Sequence, residues 1–330
     1  MQERTTPRRI LVTGVGGAPG LDLAMELLKL GYEVIGTDSN PLAPGLLTPG
    51  IIARTVARAD SPDYARDLRE LCAGLGVEGL VPTVEHELPP LITMQEELKG
   101  LGVSTLLPPL AAAKASIDKA VFDQVVRKHR IPTPATFLPD EIDQVPGDCQ
   151  LVVKPRRGQG SKDLYFCSTK EQAKVLCGLV TNPIVQERVE GQEFSADCLV
   201  DRQGRASVVL RKRLMVHGGL SLVASTFHDA EATARVKDVL AAVGAVGPAD
   251  VQGFITHDGS DRVVMTEINL RFAAGFLLSE AAGADMVRQT VNALFHRDVD
   301  HDRLRYQPDV YLTKYVAVLS TEARNVPKRV

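Results

Sequence analysis

Residues 8–40 read RRILVTGVGGAPGLDLAMELLKLGYEVIGTDSN. A short β-branched run ends at Thr13 and a glycine-rich turn follows it. LDLAMELLKLGY then has helical spacing, and EVIGTD is a second apolar run ending at Asp38. Strand, turn, helix and strand make a βαβ unit, and that unit requires a parallel sheet. Downstream, YARDLRELCAGLG (64–76) predicts a helix and GLVPTVEHEL (79–88) a strand ending in a polar loop. PPLITMQEELKGLG (89–102) predicts a further helix. The α/β alternation stops near residue 108.

Beyond it the pattern changes. AAAKASIDKAVFDQVVRKHR (111–130) predicts one long amphipathic helix, closed by Pro132 and Pro134. QLVVKPRRGQGSKDLYFCS (150–168) predicts a hairpin, and NPIVQERVEGQEFSADCLVD (182–201) a pair of strands. VVLRKRLMVHGGLSLVASTF (208–227) reads as strand, loop, strand. A helix over 229–245 precedes a hairpin over 251–272 with its turn at Asp258-Gly259. The second part is therefore α+β with antiparallel sheets.

Composition narrows the function. The 330 residues suit two or three lobes. Lys+Arg 38 against Asp+Glu 41 excludes a broadly basic nucleic-acid binder. The absence of Trp argues against base stacking as the main business. Five cysteines without a CxxC predict free thiols in a reducing cytosol. The start MQERTTPRR has no apolar signal core, and Arg4, Arg8 and Arg9 read as a disordered leader. No apolar run reaches the ~20 residues that span a bilayer, so neither nucleic acid nor membrane is expected as a partner.

The turn Gly14–Gly20 and Asp38 together have the form of a dinucleotide-binding fingerprint. Its glycines at 14, 17 and 20 resemble those of short-chain dehydrogenases and epimerases. Such enzymes need a Tyr-x-x-x-Lys pair, and none of the six tyrosines has Lys four residues later. NAD binding is therefore the rival outside the main reading. Gly16, Gly17 and Asp38 are expected to line a cleft for another ligand.

Three segments carry the chemistry. Lys154 ends the run LVVK beside Gly158, Gly160 and Ser161, where an ammonium and glycine-exposed N–H groups suit phosphates. No Gly-Lys dipeptide occurs, so this is not a Walker A loop. In VQERVEGQEF, the backbone around Glu187 and Val189 can read an adenine edge and Glu193 can hold ribose hydroxyls. In MTEINLRF, Glu267 and Asn269 share one strand face, which Arg271 continues, and Gln252 on the preceding strand can join them. Carboxylate and amide oxygens suit Mg²⁺. Asp250 is an alternative ligand to Gln252.

These segments, in this order, resemble the ATP-grasp superfamily, and within it the carbamoyl-phosphate-synthase-like carboxylate–amine ligases. The resemblance runs from ILVTGVGGAPG and VPTVEHEL through IDK and IPTPATF to VVKPRRGQGS, VQERVEGQEFSAD, RKRLMVHGGLS and TEINLRF. It implies an ATP-grasp fold with an N-terminal Rossmann-like lobe over 1–108, a lid subdomain over 109–185 and a large subdomain over 186–330. It implies Lys119 and Lys154 on nucleotide phosphates, with Gly158, Gly160 and Ser161 in a lid. Glu187 and Val189 fall on adenine, and Glu193 on ribose. Gln252, Glu267 and Asn269 would hold two Mg²⁺, with Mn²⁺ as a substitute. Arg271 would face the transferred phosphoryl, and Arg211 and Arg213 the acceptor carboxylate or γ-phosphate. Leu270 stands where the family usually has proline.

The implied reaction is amide formation through an acyl phosphate, releasing ADP and phosphate, on small-molecule or amino-acid carboxylates and amines. His217 is a candidate base for the amine, or an exposed loop histidine. Glu85 and Glu87 either meet the amine or cap the next helix. Alternatives are a carboxylase or kinase-like relative with the same ATP site, and a nucleotide-binding regulator without catalysis. A homodimer is the base-rate expectation.

Overall fold

The computed structural model describes residues 7–146, 150–158, 160, 162–256, 261–322 and 325–327. Arg4, Ser161 and the Asp258-Gly259 turn lie outside them. Among the described residues no helix is long and apolar enough to cross a membrane.

The opening βαβ unit forms as its pattern demands. Strands β1 (Arg9–Thr13), β2 (Glu33–Asp38), β3 (Ile51–Thr55), β4 (Gly79–Val81) and β5 (Ser104–Thr105) make a parallel sheet in the order β3-β2-β1-β4-β5. Helices α1 (Ala18–Lys29), α2 (Tyr64–Leu75), α3 (Leu88–Thr93) and α4 (Gln95–Gly100) belong to this lobe. Ile10, Val12 and Val34 pack with Leu23 and Leu27 of α1. Full burial of such a side chain contributes about 1.5–3 kcal/mol. Arg8 and Arg9 are not a loose leader. Arg9 begins β1 and pairs with Glu33 (Nε–Oε2 3.0 Å), and Arg8 lies over the Phe295 ring.

The expected long helix over 111–130 is two helices, α5 (Leu110–Ile117) and α6 (Lys119–Lys128). Asp118 breaks it. Its φ of −120° is extended, and its carboxylate accepts from Ala120 and Val121 N–H as the N-cap of α6. The same carboxylate binds Arg156 (2.6 Å) and Arg157 (3.2 Å), which hold its pKa down against burial. The cap makes Lys119 the first residue of α6.

Two antiparallel sheets follow. Strands β6 (Thr136–Phe137), β7 (Leu151–Pro155), β8 (Tyr165–Cys167) and β9 (Pro183–Glu187) form the small sheet, order β6-β9-β7-β8. Its outer face packs Leu151, Val153 and Val185 on Ala173 of α7 (Lys170–Cys177). Strands β10 (Gln192–Val200), β11 (Ala206–His217), β12 (Leu220–Thr226), β13 (Gly247–Ile255), β14 (Val263–Asn269) and β15 (Tyr311–Thr313) form the large sheet, order β14-β13-β10-β11-β12-β15. The two expected strands of 182–201 thus enter different sheets, and residues 188–191 cross between them.

The large sheet divides its side chains by period two. Phe194, Ala196, Cys198, Leu210, Val251 and Ile268 join the main core with Val236, Val239 and Leu240 of α8 (Ala230–Val243). Their neighbours Glu193, Asp197, Arg211, Arg213, Gln252, Glu267 and Asn269 leave on the other face. After β14, α9 (Leu277–Ala281) leads to α10 (Met286–Leu294), whose Met286, Val287, Val291 and Leu294 share a cluster with Ile10 and Val12 of the first sheet.

Asp118→Ala removes the cap of α6 and leaves Arg156 without its buried partner. We expect a loss of about 2 kcal/mol in denaturant unfolding, mostly as a lowered midpoint. An unchanged midpoint refutes this account of the helix break.

Candidate active site

The small sheet and the large sheet face each other across a cleft of about 750 Å³. Lys119, Lys154, Gly158, Gly160, Glu187, Val189, Glu193, Arg213, Gln252 and Glu267 all line it. These residues come from α6, both sheets and the loops between them. Alternation puts Val152, Lys154 and Gln186 on the cleft face of the small sheet, opposite the polar face of the large one.

Lys154 is half-buried, and burial pushes its ammonium down from 10.5 to about 8, with Glu267 pulling the other way and Lys119 adding to the fall. Lys119 Nζ donates to Gly158 O at 3.0 Å and lies 3.5 Å from Glu267 Oε1. The glycine loop meets the tip of the β11–β12 hairpin. A Cβ on Gly219 would come within 2.5 Å of the Gly160 backbone. Arg213 ties this tip down, donating to Gly219 O at 2.8 Å and also pairing with Glu193. Burial raises the Glu193 pKa, and Arg213 works against that rise. The Val189 N–H has no acceptor among the described residues.

β13 pairs Gln252 with Glu267 and Asp250 with Asn269. The register then skips Thr266, a one-residue bulge that brings both Thr266 and Glu267 to the cleft. Asp250 is buried and accepts the amide groups of Gln252 (Nε2–Oδ2 3.0 Å) and Asn269 (Nδ2–Oδ2 3.4 Å). With both NH₂ groups turned to Asp250, the amide oxygens face away from it. Asp250 braces the two amides and is itself one step deeper than the cleft.

Several expected residues do not line the cleft. Arg211 is 2% exposed and spends two nitrogens on Asp197, both at 2.7 Å, with Asp250 at 3.8 Å. Burial opposes its charge, but Asp197 and Asp250 outweigh that and raise its pKa. It therefore does not face an acceptor group; it neutralises buried carboxylates. His217 is exposed on the hairpin, while its neighbours Val216 and Gly218 line the cleft. Strand alternation turns it outward. Arg271 Nε binds Glu85 Oε1 at 2.7 Å, and its Nη1 donates to Phe272 O. Asn269 is buried beside it.

Glu85 and Glu87 provide no helix cap. Glu85 is the first lobe's link to Arg271. Glu87 accepts from Thr13, and burial pushes it up to about 7. The Gly14–Gly20 turn is structural. Gly17 N donates to Gly14 O, and a Cβ on Gly20 would lie 2.3 Å from that oxygen. Asp38 accepts from the N–H groups of Gly16 (2.8 Å) and Asn40 (2.9 Å) and so braces its own loop. At Leu270, the N–H donates to Ser116 Oγ at 3.0 Å, a bond that proline cannot make.

Among the cleft-lining residues without an expected role is Gln186, which follows the apolar run Ile184-Val185 and precedes Glu187 in the segment VQERVEGQEF.

Comparisons with known proteins bear on the fold. Residues 180–316 match the family described as ATP-grasp in the biosynthetic pathway with Ter operon. A D-alanine–D-alanine ligase of Fusobacterium nucleatum is 29% identical over 101 residues, 30% of this chain and 33% of that one. A carbamoyl-phosphate synthase of Methanobrevibacter smithii is 24% identical over 185 residues, 54% and 48% of the two chains. The chain thus spans between a third and a half of these relatives. The biotin carboxylase domain dimer of Hydrogenobacter thermophilus 2-oxoglutarate carboxylase, solved with MgADP and bicarbonate, superposes with a TM-score of 0.71. It is 14% identical and covers 93% of this chain and 74% of that one. The chain has the ATP-grasp fold.

The depressed Lys154 gives a signed expectation. Its folded pKa of about 8 lies below the ordinary 10.5, so between those values the unfolded state binds more protons. Stability should then rise with pH across that window. Lys154→Met should be more stable than wild type at pH 7, by on the order of 1–3 kcal/mol, and the difference should shrink by pH 10. Parallel pH–stability curves for the two proteins refute the assignment.

Proposed function

We propose that this ATP-grasp chain is an ATP-dependent ligase that joins a small carboxylate to an amine through an acyl phosphate, releasing ADP and phosphate. The observation that carries the proposal is the cleft itself. It is lined by Lys154 of the small sheet, by Lys119 at the start of α6, and by Glu193, Gln252 and Glu267 of the large sheet, and among the described residues the Val189 N–H at the crossing between the sheets has no acceptor.

In this reading the adenine enters between the sheets against residues 186–189. Lys119 and Lys154 face the phosphates, and each exchanges its present surroundings for phosphate oxygens. The Lys119–Gly158 bond is then replaced, and the glycine loop moves with it. Glu193 keeps one oxygen on Arg213 and offers the other to ribose.

The donor set fits Mg²⁺. Glu267 and the amide oxygens of Gln252 and Asn269 are hard ligands, and Asp250 turns those oxygens outward. Behind them Asp197 and Asp250 lie against Arg211, and Glu85 and Asp250 against Arg271. When bound, the metal supplies charge neutralisation on phosphate oxygens. Two ions, with Mn²⁺ able to replace Mg²⁺, complete the proposal.

A substrate carboxylate oxygen attacks the γ-phosphorus, and the bond to the β-phosphate oxygen breaks. The amine then attacks the acyl carbon, loses a proton and expels phosphate. In this reading Arg271, beside the cleft and held by Glu85 of the first lobe, receives the phosphoryl group. The chain's contribution is positioning and electrostatic stabilisation. Similarity to a D-alanine–D-alanine ligase supports small or amino-acid substrates, and the dimeric biotin carboxylase domain supports a homodimer.

Glu267→Ala should abolish ATP-dependent product formation while circular dichroism and melting stay near wild type. A near-normal rate removes the metal assignment, and AMP in place of ADP would point to adenylation. Asp250→Asn no longer offers a carboxylate to both amides. It should raise the Mg²⁺ concentration for half-maximal rate by roughly 10–100-fold. An unaltered Mg²⁺ dependence would show that Asp250 does not orient the ligands.

A further inference from the structure

Away from the cleft between the sheets, Ser207 and His301 line a second cavity of about 750 Å³. β12 pairs with β11 only from Arg211 onward, so the first residues of β11 keep an open edge on the side away from β10. The helical turn His301–Leu304 packs beside them. His301 is 8% exposed and stands between two polar partners. Its Nε2 lies 3.1 Å from Asp201 Oδ2, and its Nδ1 lies 2.7 Å from Ser207 Oγ. Asp201 Oδ1 accepts from the N–H groups of Gln203 (2.9 Å) and Arg205 (2.8 Å). Burial opposes the Asp201 charge, but His301 and these N–H groups outweigh burial and lower its pKa. An ionised carboxylate only accepts, so Nε2 carries the ring proton. In the neutral ring Nδ1 is then an acceptor, and Ser207 donates its one hydroxyl proton to it.

Carboxylate, imidazole and hydroxyl in this order make a nucleophile, its base and the group that orients the base. The two ring nitrogens are exchanged relative to the common serine-hydrolase arrangement, which leaves the proton relay intact. On the open edge of β11 the Leu210 N–H donates to Tyr306 Oη at 3.3 Å. The Val208 N–H, two residues earlier, has no acceptor among the described residues. The N–H of the residue after a nucleophilic serine is a recurrent oxyanion donor.

We propose that Ser207 is a nucleophile and that this cavity hydrolyses small carboxylic esters without ATP. Ser207 Oγ attacks the acyl carbon while its proton passes to His301 Nδ1. Asp201 is the positioning residue, which steadies the imidazolium through Nε2. The Val208 N–H supports the oxyanion. The ester C–O bond then breaks, and the leaving alkoxide takes the proton from His301. Water gives a proton to His301 and attacks the acyl-serine, the acid departs, and Ser207 regains its proton. Leu240 and Ala241 offer the acyl chain an apolar wall. None of these side chains lines the cleft between the sheets, so this activity is independent of the ligase reading.

The test uses the full chain without nucleotide. A fluorophosphonate probe with mapping of the labelled peptide reads the nucleophile, and 4-nitrophenol release from 4-nitrophenyl butyrate reads turnover. Wild type should be labelled at Ser207. Ser207→Ala should lose the label and lower turnover by on the order of 100-fold. Asp201→Asn keeps an Oδ1 acceptor for its own turn and should lower kcat by on the order of 100-fold with KM unchanged. Melting temperatures near wild type separate these losses from unfolding. An unlabelled Ser207 in wild type, or equal turnover by Ser207→Ala, overturns the proposal and leaves the network a structural clasp. An unchanged kcat in Asp201→Asn overturns the positioning role.

Discussion

In an extended strand successive side chains leave on opposite faces, and this constraint makes β10, β11, β13 and β14 both the wall of the core and the floor of the cleft. Phe194, Ala196, Val251 and Ile268 reach α8 on one side. Glu193, Gln252, Glu267 and Asn269 necessarily leave on the other. A slip of one residue would send carboxylates into the core. The apolar packing that stabilises the sheet is therefore what holds the polar row in register. The bulge at Thr266 is a local departure, and it changes the aim of Glu267 without disturbing Ile268.

The polar face carries an electrostatic cost that the structure answers with a network. Asp197, Asp250 and Glu85 are buried, and Arg211 and Arg271 are the cations that face them. Breaking one member of such a network is far more costly than any surface pair, because a buried charge loses its partner. Asp250 is the shared acceptor, taking two amides and lying near both guanidinium groups. Arg271 reaches Glu85 in the first lobe, and Lys314 reaches Asp22 of α1 (3.1 Å). Parallel and antiparallel parts of the molecule are thus tied by charge at the site as well as by the α10 contacts.

Toward the small sheet the cleft is held more loosely. Lys154 bears an ammonium that burial disfavours, and Lys119 rests on a backbone carbonyl of the glycine loop. Both are poised to prefer anionic oxygens. The hairpin tip touches that loop where Gly219 meets Gly160, and a Cβ on Gly219 would collide with the Gly160 backbone.

Much of this was legible in the sequence because it depends on local period and spacing. The βαβ opening, the antiparallel hairpins, Lys154 beside its glycine loop, and Glu267 sharing a face with Asn269 follow from alternation over a few residues. The break at Asp118 was hidden by helical periodicity on both sides of it, although the aspartate before Lys119 is an N-cap type. Tertiary structure decided what depends on partners remote in the chain. It put Arg211 on Asp197, turned His217 outward, gave Asp38 to its own loop, and made Asp250 a brace. It also brought His301 to Ser207 and Asp201, which no spacing announces. A side chain's neighbours along the chain set the face on which it leaves. Only the folded sheet order sets which charge or hydroxyl waits there, and that choice separates a residue that meets the ligand from one that holds it in place.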